Sequence, residues 1–291
     1  MKKVKLMVKK MLAGLPDKQY LQLYYFASFK RPLNLNNPRT YNEKLQWIKL
    51  YDRKPEYTRM VDKYEAKGYI AEKIGPQYVI PTYGVWDSFD EINFDALPDR
   101  FIMKTTHDSG TFMICTDKKT FDKAAAKEKM EKSLRRKYYL IAREWPYKNV
   151  HPRIICEKLL ENGNGSPLSD YKFYCFDGEV RMLHVTFGRG TADGLSMNYY
   201  DRDLNLMPYD HYHYPRYNGK FTPPVQYEKM VELASVLSKG IPHVRVDFYE
   251  VNGEIYLGEL TFFTDGGFGT FKSREFDEMI GSWIKLPEVT K

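Results

Sequence analysis

Residues 244–262 read VRVDFYEVNGEIYLGELTF, and their register decides what this chain can build. Two flanks rich in Val, Phe, Tyr, Ile and Leu meet at Asn252-Gly253, a dipeptide that favours a tight β-hairpin turn. A loop of Asn252-Gly253 alone would set Val246 opposite Glu259 and mix charged with apolar side chains on each face. A three-residue loop, Val251-Asn252-Gly253 with Gly253 at positive φ, sorts them. Val244, Val246, Phe248, Tyr256, Gly258, Leu260 and Phe262 then share one face, and Arg245, Asp247, Glu259 and Thr261 the other. In that register Arg245 faces Glu259 and Asp247 faces Leu257. Glu259 lies on the diagonal from Asp247, roughly 7–8 Å away between backbones.

The polar stripe has two readings. One is a solvated outer face with Arg245 and Glu259 as a cross-strand ion pair. The other is a Mg²⁺ site, because hard cations take carboxylate oxygens and keep substrate phosphates as further ligands. The segment that follows, Thr264-Asp265-Gly266-Gly267-Phe268-Gly269-Thr270, favours the second. Its glycines permit positive φ or close approach of backbone to a ligand.

The 291 residues have 43% hydrophobic and 29% charged side chains, a globular rather than disordered balance. Seventeen Phe and 24 Tyr suit a large core or the stacking of sugars. The net charge of +7 points to an anionic partner: nucleotide, acidic glycan or membrane surface. Nucleic acid is disfavoured, since no recognised binding motif accompanies the charge. Cys115, Cys156 and Cys175 form no CxxC pair. Cys115 and Cys156 lie in apolar runs, so buried thiols are expected rather than a disulfide framework or zinc site. No run of 18 apolar residues reads as a membrane span. The N-terminal MKKVKLMVKKML is basic and amphipathic, fitting either an ordinary first helix or a contact with an anionic membrane face.

Along the chain, residues 1–60 read as helical with breaks at Pro16, Pro32 and Pro38, and 61–74 as a helix stopped at Gly75-Pro76. Residues 78–86 are extended. Residues 100–106 and 111–117 form a strand pair. Phe121 to Glu144 reads as one long lysine-rich helix. Residues 153–161 are a strand, and 170–187 a hairpin turned at Asp177-Gly178. Residues 194–209 are extended, and a helix opened by Thr222-Pro223-Pro224 stops at Gly240. This order is α+β, without the repeated βαβ of a doubly wound fold.

Several constellations carry chemistry. Lys104-Thr105-Thr106-His107-Asp108-Ser109-Gly110 is a strand ending in a small polar loop whose amides could cradle phosphate; the GxxxxGK[ST] spacing of a P-loop is absent. Glu157 to Leu160 is a strand exit that could present backbone to a purine. Lys63 on an early helix is, by itself, a solvated lysine. Asp201-Arg202-Asp203 is a literal DxD, a pattern that holds a divalent ion in many nucleotide-sugar glycosyltransferases, and equally a turn. His211 to Tyr217 reads as an aromatic acceptor loop or an inert surface loop, and His184 as a packing residue. No Ser-His-Asp or catalytic Cys context emerges.

Taken in order, YNEKLQWIKLYDR (41–53), DKYEAKGYI (62–70), KTTHDSG (104–110), WPYKNV with RIICEKLL (145–160), DYKF (170–173) and RVDFY with GELTF (245–262) resemble the ATP-grasp superfamily. The nearest likeness is its TupA-like branch, named for teichuronopeptide biosynthesis and found with cell-surface polysaccharide genes. The resemblance runs from about Tyr41 onward. It implies two α+β subdomains clasping ATP between antiparallel sheets, with an N-terminal helical extension. The implied divisions are 1–60 (helical segment), 61–98 (N-terminal α/β part), 99–161 (lid) and 162–291 (catalytic subdomain).

The resemblance assigns Lys63 and Lys104 to the ATP phosphates, and His107, Ser109 and Gly110 to the loop closing over them. It assigns Glu157, Lys158, Leu159 and Leu160 to the adenine hinge and places Lys172 among the nucleotide-binding positions. Asp247 and Glu259 match Mg²⁺-binding carboxylates. Thr261 stands where many members carry the Asn of an ExN motif. Arg245, with Lys104, is placed to steady transferred charge. The implied cofactors are ATP and Mg²⁺. The implied reaction joins a carboxylate to an amine through an acylphosphate, on a uronic-acid-containing surface glycan or its nucleotide- or lipid-linked precursor. The second partner is an amine or amino acid, and a cytoplasmic location is implied, at or near the inner face of the membrane. The competing readings are a metal-dependent glycosyltransferase using Asp201 and Asp203, and an inert glycan-binding protein.

Overall fold

A computed structural model of the chain describes residues 14–162, 168–188, 194–211, 213–269 and 271–288. The basic stretch at 1–12 lies outside them.

Two antiparallel sheets carry the architecture. The first has strands β1 (Thr82–Trp86), β2 (Phe101–Thr105), β3 (Phe112–Cys115) and β4 (Ile154–Lys158) in the order β1-β4-β2-β3. The second has β5 (Asp170–Phe176), β6 (Glu179–Phe187), β7 (Ser196–Asp201), β8 (Val244–Val251) and β9 (Glu254–Thr261) in the order β7-β6-β5-β8-β9. The α+β expectation and both expected hairpins are met. β1 lies within residues 61–98 yet pairs with β4, so one sheet joins that segment to 99–161.

The deciding hairpin turns differently from the expected register. Asn252 and Gly253 both take positive φ, 53° and 80°, and Val251 pairs directly with Glu254. The loop is therefore the two-residue type. Facing residue numbers sum to 505 from Val251↔Glu254 to Phe248↔Leu257, and to 506 from Asp247↔Glu259 to Arg245↔Thr261. A β-bulge at Gly258 supplies the extra residue. A Cβ there would lie 2.7 Å from Cε2 of Tyr249, so the bulge needs glycine. The stripe of Arg245, Asp247, Glu259 and Thr261 survives, with two changes. Asp247 faces Glu259 rather than Leu257, and Arg245 faces Thr261 rather than Glu259. Tyr256 moves to the polar face opposite Tyr249, while Ile255 and Leu257 join the core.

The helices are α1 (Asp17–Phe29), α2 (Tyr41–Tyr51), α3 (Glu56–Val61), α4 (Glu65–Ile74), α5 (Lys123–Leu134), α6 (Tyr227–Ser238) and α7 (Arg274–Trp283). The long helix expected over 121–144 stops at Leu134, and 3₁₀ turns follow at Tyr138–Ile141 and Trp145–Asn149. Propensity favoured continuation; tertiary contacts end it. The Nε2 of His107 donates to the carbonyls of Ser133 and Arg136, at 3.1 and 3.2 Å, and Arg143 takes φ 55°. α2 begins with a reciprocal capping box between Thr40 and Glu43. It packs against α7, where a Cβ on Gly281 would lie 2.2 Å from the Arg39 carbonyl. α2, α3 and α4 thus share the core of the five-stranded sheet, while α1 packs in a cluster of its own with Leu33. All three cysteines are buried and free, as expected for Cys115 and Cys156, and no helix among the described residues is long and apolar enough to cross a membrane.

One buried histidine gives the fold a predictable acid limit. His243 lies at 2% exposure, its Nδ1 donating to the Cys175 carbonyl (3.0 Å) and its Nε2 accepting from the Tyr41 hydroxyl (2.8 Å). The bond from Tyr41 requires an unprotonated Nε2, and burial depresses the ring's pKa to about 3. The unfolded chain binds a proton at His243 below about pH 6.5 that the folded chain refuses, so stability falls as pH drops from there toward 3. The expected slope from this residue is about 1.4 kcal/mol per pH unit. Urea unfolding across that range measures it. His243→Phe should be less stable at pH 7 and show a correspondingly shallower acid slope; an unchanged slope refutes the assignment.

Candidate active site

The two sheets face each other across a narrow cleft lined from both sides. Its apolar wall comes from Val61, Ala66, Ile70, Ile80, Leu257 and Leu260; Lys63, Lys67, Lys104, Glu157 and Glu259 supply its charges. Polar and apolar groups share its lining about equally, and convergent polar groups beside an apolar wall are what fix a small molecule's orientation.

Four elements deliver these charges. Glu157 on β4 is 4% exposed. It pairs with Lys67 of α4 (Oε1, 2.5 Å) and Lys104 of β2 (Oε2, 2.7 Å). Burial alone would raise its pKa, but the two ammonium groups hold it below the ordinary range. Lys63, in the turn before α4, donates from Nζ to the carbonyls of Thr105 (3.1 Å) and Asp108. Burial lowers its pKa, opposed by Asp108 and Glu259. The 106–110 loop is organised by Asp108, whose carboxylate accepts from Thr105, Thr111 and Ser133 at 2.6–2.7 Å. Ser109 and Gly110 form its exposed tip.

The polar stripe forms the side contributed by the five-stranded sheet. Arg245 grips Asp247 with two bonds, Nε–Oδ1 at 2.7 Å and Nη2–Oδ2 at 2.6 Å. The same Nη2 reaches Glu259 (3.1 Å) and Thr261 (3.2 Å). Lys172 of β5 adds a bond to Asp247 at 3.0 Å. Burial would raise the Asp247 pKa, but Arg245 and Lys172 together hold it far below the carboxylate range. The pairing Glu259–Asp247–Lys172–His184–Tyr199 runs as one row across all five strands.

Of the residues singled out from sequence, Lys63, Lys104, Glu157 and Glu259 line one cleft, and Arg245, Asp247, Lys172 and Thr261 form the network continuous with Glu259. Lys158 is exposed, Leu159 half-buried and Leu160 buried at the strand exit. His107 does not line the cleft; its ring is committed to the end of α5. Lys67 was missed. Alone on α4 it reads as an ordinary surface lysine, and only its pairing with Glu157 marks it. Asp201 is occupied locally, its Oδ1 accepting from the amides of Asp203 and Asn205, both at 2.9 Å, the turn reading of the DxD.

The donor set suits Mg²⁺ in kind: two carboxylates on adjacent strands and a hydroxyl, all hard oxygens. Glu259, with its side chain 42% exposed, is the carboxylate most open to an ion, while both oxygens of Asp247 already accept from Arg245 and Lys172. Among the described residues no three acidic, His or Cys side chains converge as a preformed metal centre.

The family model described as TupA-like ATPgrasp matches residues 43–285. The chain belongs to this family. Among curated proteins none matches it significantly. Among solved structures, this ATP-grasp chain is similar to D-alanine–D-alanine ligase from Bacillus anthracis complexed with ATP. The identity is 14% over 70% of this chain and 53% of that one, with TM-score 0.40. It is also similar to the ATP-grasp ligase PsnB complexed with minimal precursor, Mg and ADP (12%, 83% and 65%, TM-score 0.41). A third is D-cycloserine synthetase DcsG (14%, 77% and 70%, TM-score 0.40). The chain spans about half to two thirds of the length of the first two.

Proposed function

We propose that the protein is an ATP- and Mg²⁺-dependent carboxylate–amine ligase that modifies a surface polysaccharide or its precursor, joining an amine or amino acid to a uronic acid. The observation that carries this reading is the convergence of Lys63, Lys67, Lys104 and Glu157 with Glu259 in one cleft, beside the Arg245–Asp247–Lys172 network. Phosphoryl transfer asks little covalent chemistry of a protein and much charge neutralisation and positioning. A site of cations and carboxylates, with no positioned nucleophile, suits it.

In this reading a substrate carboxylate attacks the γ-phosphate of ATP. The new C–O–P bond forms as ADP leaves with the electrons of the broken P–O bond. An amine, its ammonium proton already lost to solvent, then attacks the acylphosphate carbon; the C–N bond forms, phosphate departs with the electrons of the broken C–O bond, and the nitrogen releases a second proton to give the amide. Lys63 and Lys104 bind phosphate oxygens; Lys104 is poised by Glu157, whose other oxygen holds Lys67. Arg245 steadies the transferred charge. Glu259, Asp247 and Thr261 would hold Mg²⁺, which when bound neutralises phosphate charge. The positive net charge favours approach of an acidic glycan.

The test is ADP release by the full chain with glucuronate or UDP-glucuronate and a mixture of amino acids, with and without Mg²⁺. Lys104→Ala is expected to weaken ATP binding about 10- to 100-fold by calorimetry, the worth of one charge-assisted contact, in a protein that still folds because Lys67 remains as a partner of Glu157. Unchanged ATP affinity would count against the cleft as the nucleotide site. The glycosyltransferase alternative predicts instead UDP-sugar binding lost in Asp201→Ala.

A further inference from the structure

α5 and its flanks carry a charge that the nucleotide cleft does not use. Residues 118–137 hold nine lysines and arginines against three acids, where the whole chain's net charge is +7. The two sides of the helix differ. On one, Lys127 meets Asp90 (2.5 Å) and Glu131 (3.9 Å). On the other, Lys129 and Lys132 are exposed, and neither has an acid within 4.0 Å among the described residues. The chain then leaves α5 through Arg135, Arg136 and Lys137, all exposed. Arg135 has only a 3.6 Å approach from Glu131. Lys129, Lys132 and Arg135 follow at i, i+3 and i+6, and like charges at this spacing destabilise a helix. The helix end does not need them as caps, because Nε2 of His107 already lies 3.1 and 3.2 Å from the carbonyls of Ser133 and Arg136.

Contacts tie both ends of this basic stripe to the cleft. At one end, Nζ of Lys129 donates to the Phe112 carbonyl (2.7 Å) and lies 5.3 Å from the centroid of its ring. Phe112 pairs with Lys104 across β3 and β2, so its ring, 43% exposed, stands on the same sheet face as Lys104. At the other end, Nη1 of Arg136 lies 3.9 Å from the Asp108 carboxylate, and the Asp108 carbonyl accepts from Nζ of Lys63. Lys63 and Lys104 both line the cleft. A negatively charged chain lying along the stripe would therefore run past the two lysines to which the ligase reading gives the phosphates.

We propose that α5 with residues 135–137 is the docking track for an acidic polymer, a linear polyuronate that presents one of its carboxylates to the cleft. This rests on the ligase reading above and narrows its substrate to a polysaccharide chain rather than a free or nucleotide-linked uronate. Repetition of charge is what selects the chain. One carboxylate on an exposed lysine is held weakly. A polyuronate offers a carboxylate on each sugar to cations spread over roughly 9 Å of helix from Lys129 to Arg135, and contacts linked on one chain reinforce each other. Phe112 adds a flat apolar surface for a sugar ring at the edge of the sheet. An anionic membrane is the poorer fit. A helix lying in a membrane surface buries a large apolar face beside its cations, whereas Ala126 and Met130 of α5 are spent on the core and no large apolar side chain of α5 is exposed.

The experiment titrates the full-length protein with polygalacturonate, its oligomers of increasing length and galacturonate itself, at low salt and at about 0.15 M. Duplex DNA and phosphatidylserine vesicles are run beside them. Affinity is expected to rise at least about tenfold from the monomer to the polymer and to fall with salt. The combined variant Lys132→Gln, Arg135→Gln, Lys137→Gln should bind the polymer at least about tenfold more weakly, with ATP affinity unchanged. Equal affinity for monomer and polymer, unchanged polymer affinity in the variant, or preference for DNA or vesicles over the polymer refutes the track. Should the triple variant fail to fold, Lys132→Gln decides alone, a severalfold loss being expected and unchanged affinity being the refutation. ATP calorimetry on the parent, with no polymer present, separates the two levels. Absent ATP binding refutes the ligase reading and leaves the polymer titration to judge the track, whereas intact ATP binding without polymer binding refutes the track alone.

Discussion

Asp247→Ala is expected to cost about 3–5 kcal/mol of folding stability and to abolish Mg²⁺-dependent nucleotide binding, whereas Glu259→Ala should lose the binding at a stability cost below about 1 kcal/mol. The difference follows from burial. Asp247 is 2% exposed and takes three hydrogen bonds from two cations, Arg245 at 2.7 and 2.6 Å and Lys172 at 3.0 Å. Its removal leaves a buried guanidinium and ammonium side by side with only Glu259 and Asp170 as counter-charges, and breaking a buried pair from one end is the costly way to break it. Glu259 meets Arg245 at 3.1 Å from a side chain 42% exposed, so solvent replaces most of what is lost. Urea unfolding and ATP calorimetry on the two variants separate these effects. Equal stability losses would mean that the Arg245 network is solvated. Retained Mg²⁺-dependent ATP binding in Glu259→Ala would remove the stripe from the nucleotide site.

The stripe was legible in the sequence because alternation is a strong signal, and two devices satisfy it equally well. A three-residue loop and a two-residue loop with a bulge both bring Arg245, Asp247, Glu259 and Thr261 to one face. Gly258 suits either, so its role could be settled only by Tyr249, which crowds it from the neighbouring strand. The sheet order was not legible, since β8 joins β5 from some seventy residues away in sequence. The end of α5 was hidden for a related reason: Lys and Glu favour helix through Glu144, and what stops it is a histidine from another strand's loop. That same contact removes His107 from the phosphate-facing set. Lys63, Lys104 and Glu157 could be chosen only as a group, by resemblance, since each alone reads as an ordinary surface residue. The loop from Thr264 to Gly269 announced itself through its glycines, but what crowds them, Gln46, Lys49 and Ala142, is distant in sequence.

Lys49→Met is expected to destabilise the fold by about 3–5 kcal/mol, although methionine fills much of the same space. Lys49 is fully buried and its ammonium donates to Gln46 Oε1 (2.8 Å), the Ala142 carbonyl (2.8 Å) and the Gly266 carbonyl (2.5 Å), with the Phe268 ring 4.7 Å away. Methionine leaves these acceptors without their donor, each a buried desolvation cost of about 1–3 kcal/mol. It also removes the positive charge that opposes Glu144, itself buried, whose pKa burial already pushes up. Glu144→Gln combined with Lys49→Met should therefore cost at least about 1 kcal/mol less than the two single losses added, the signature of groups that share one interaction. Denaturant unfolding of the four proteins in the cycle measures this. A Lys49→Met protein within about 1 kcal/mol of the parent would show that α2 does not hold the loop after β9.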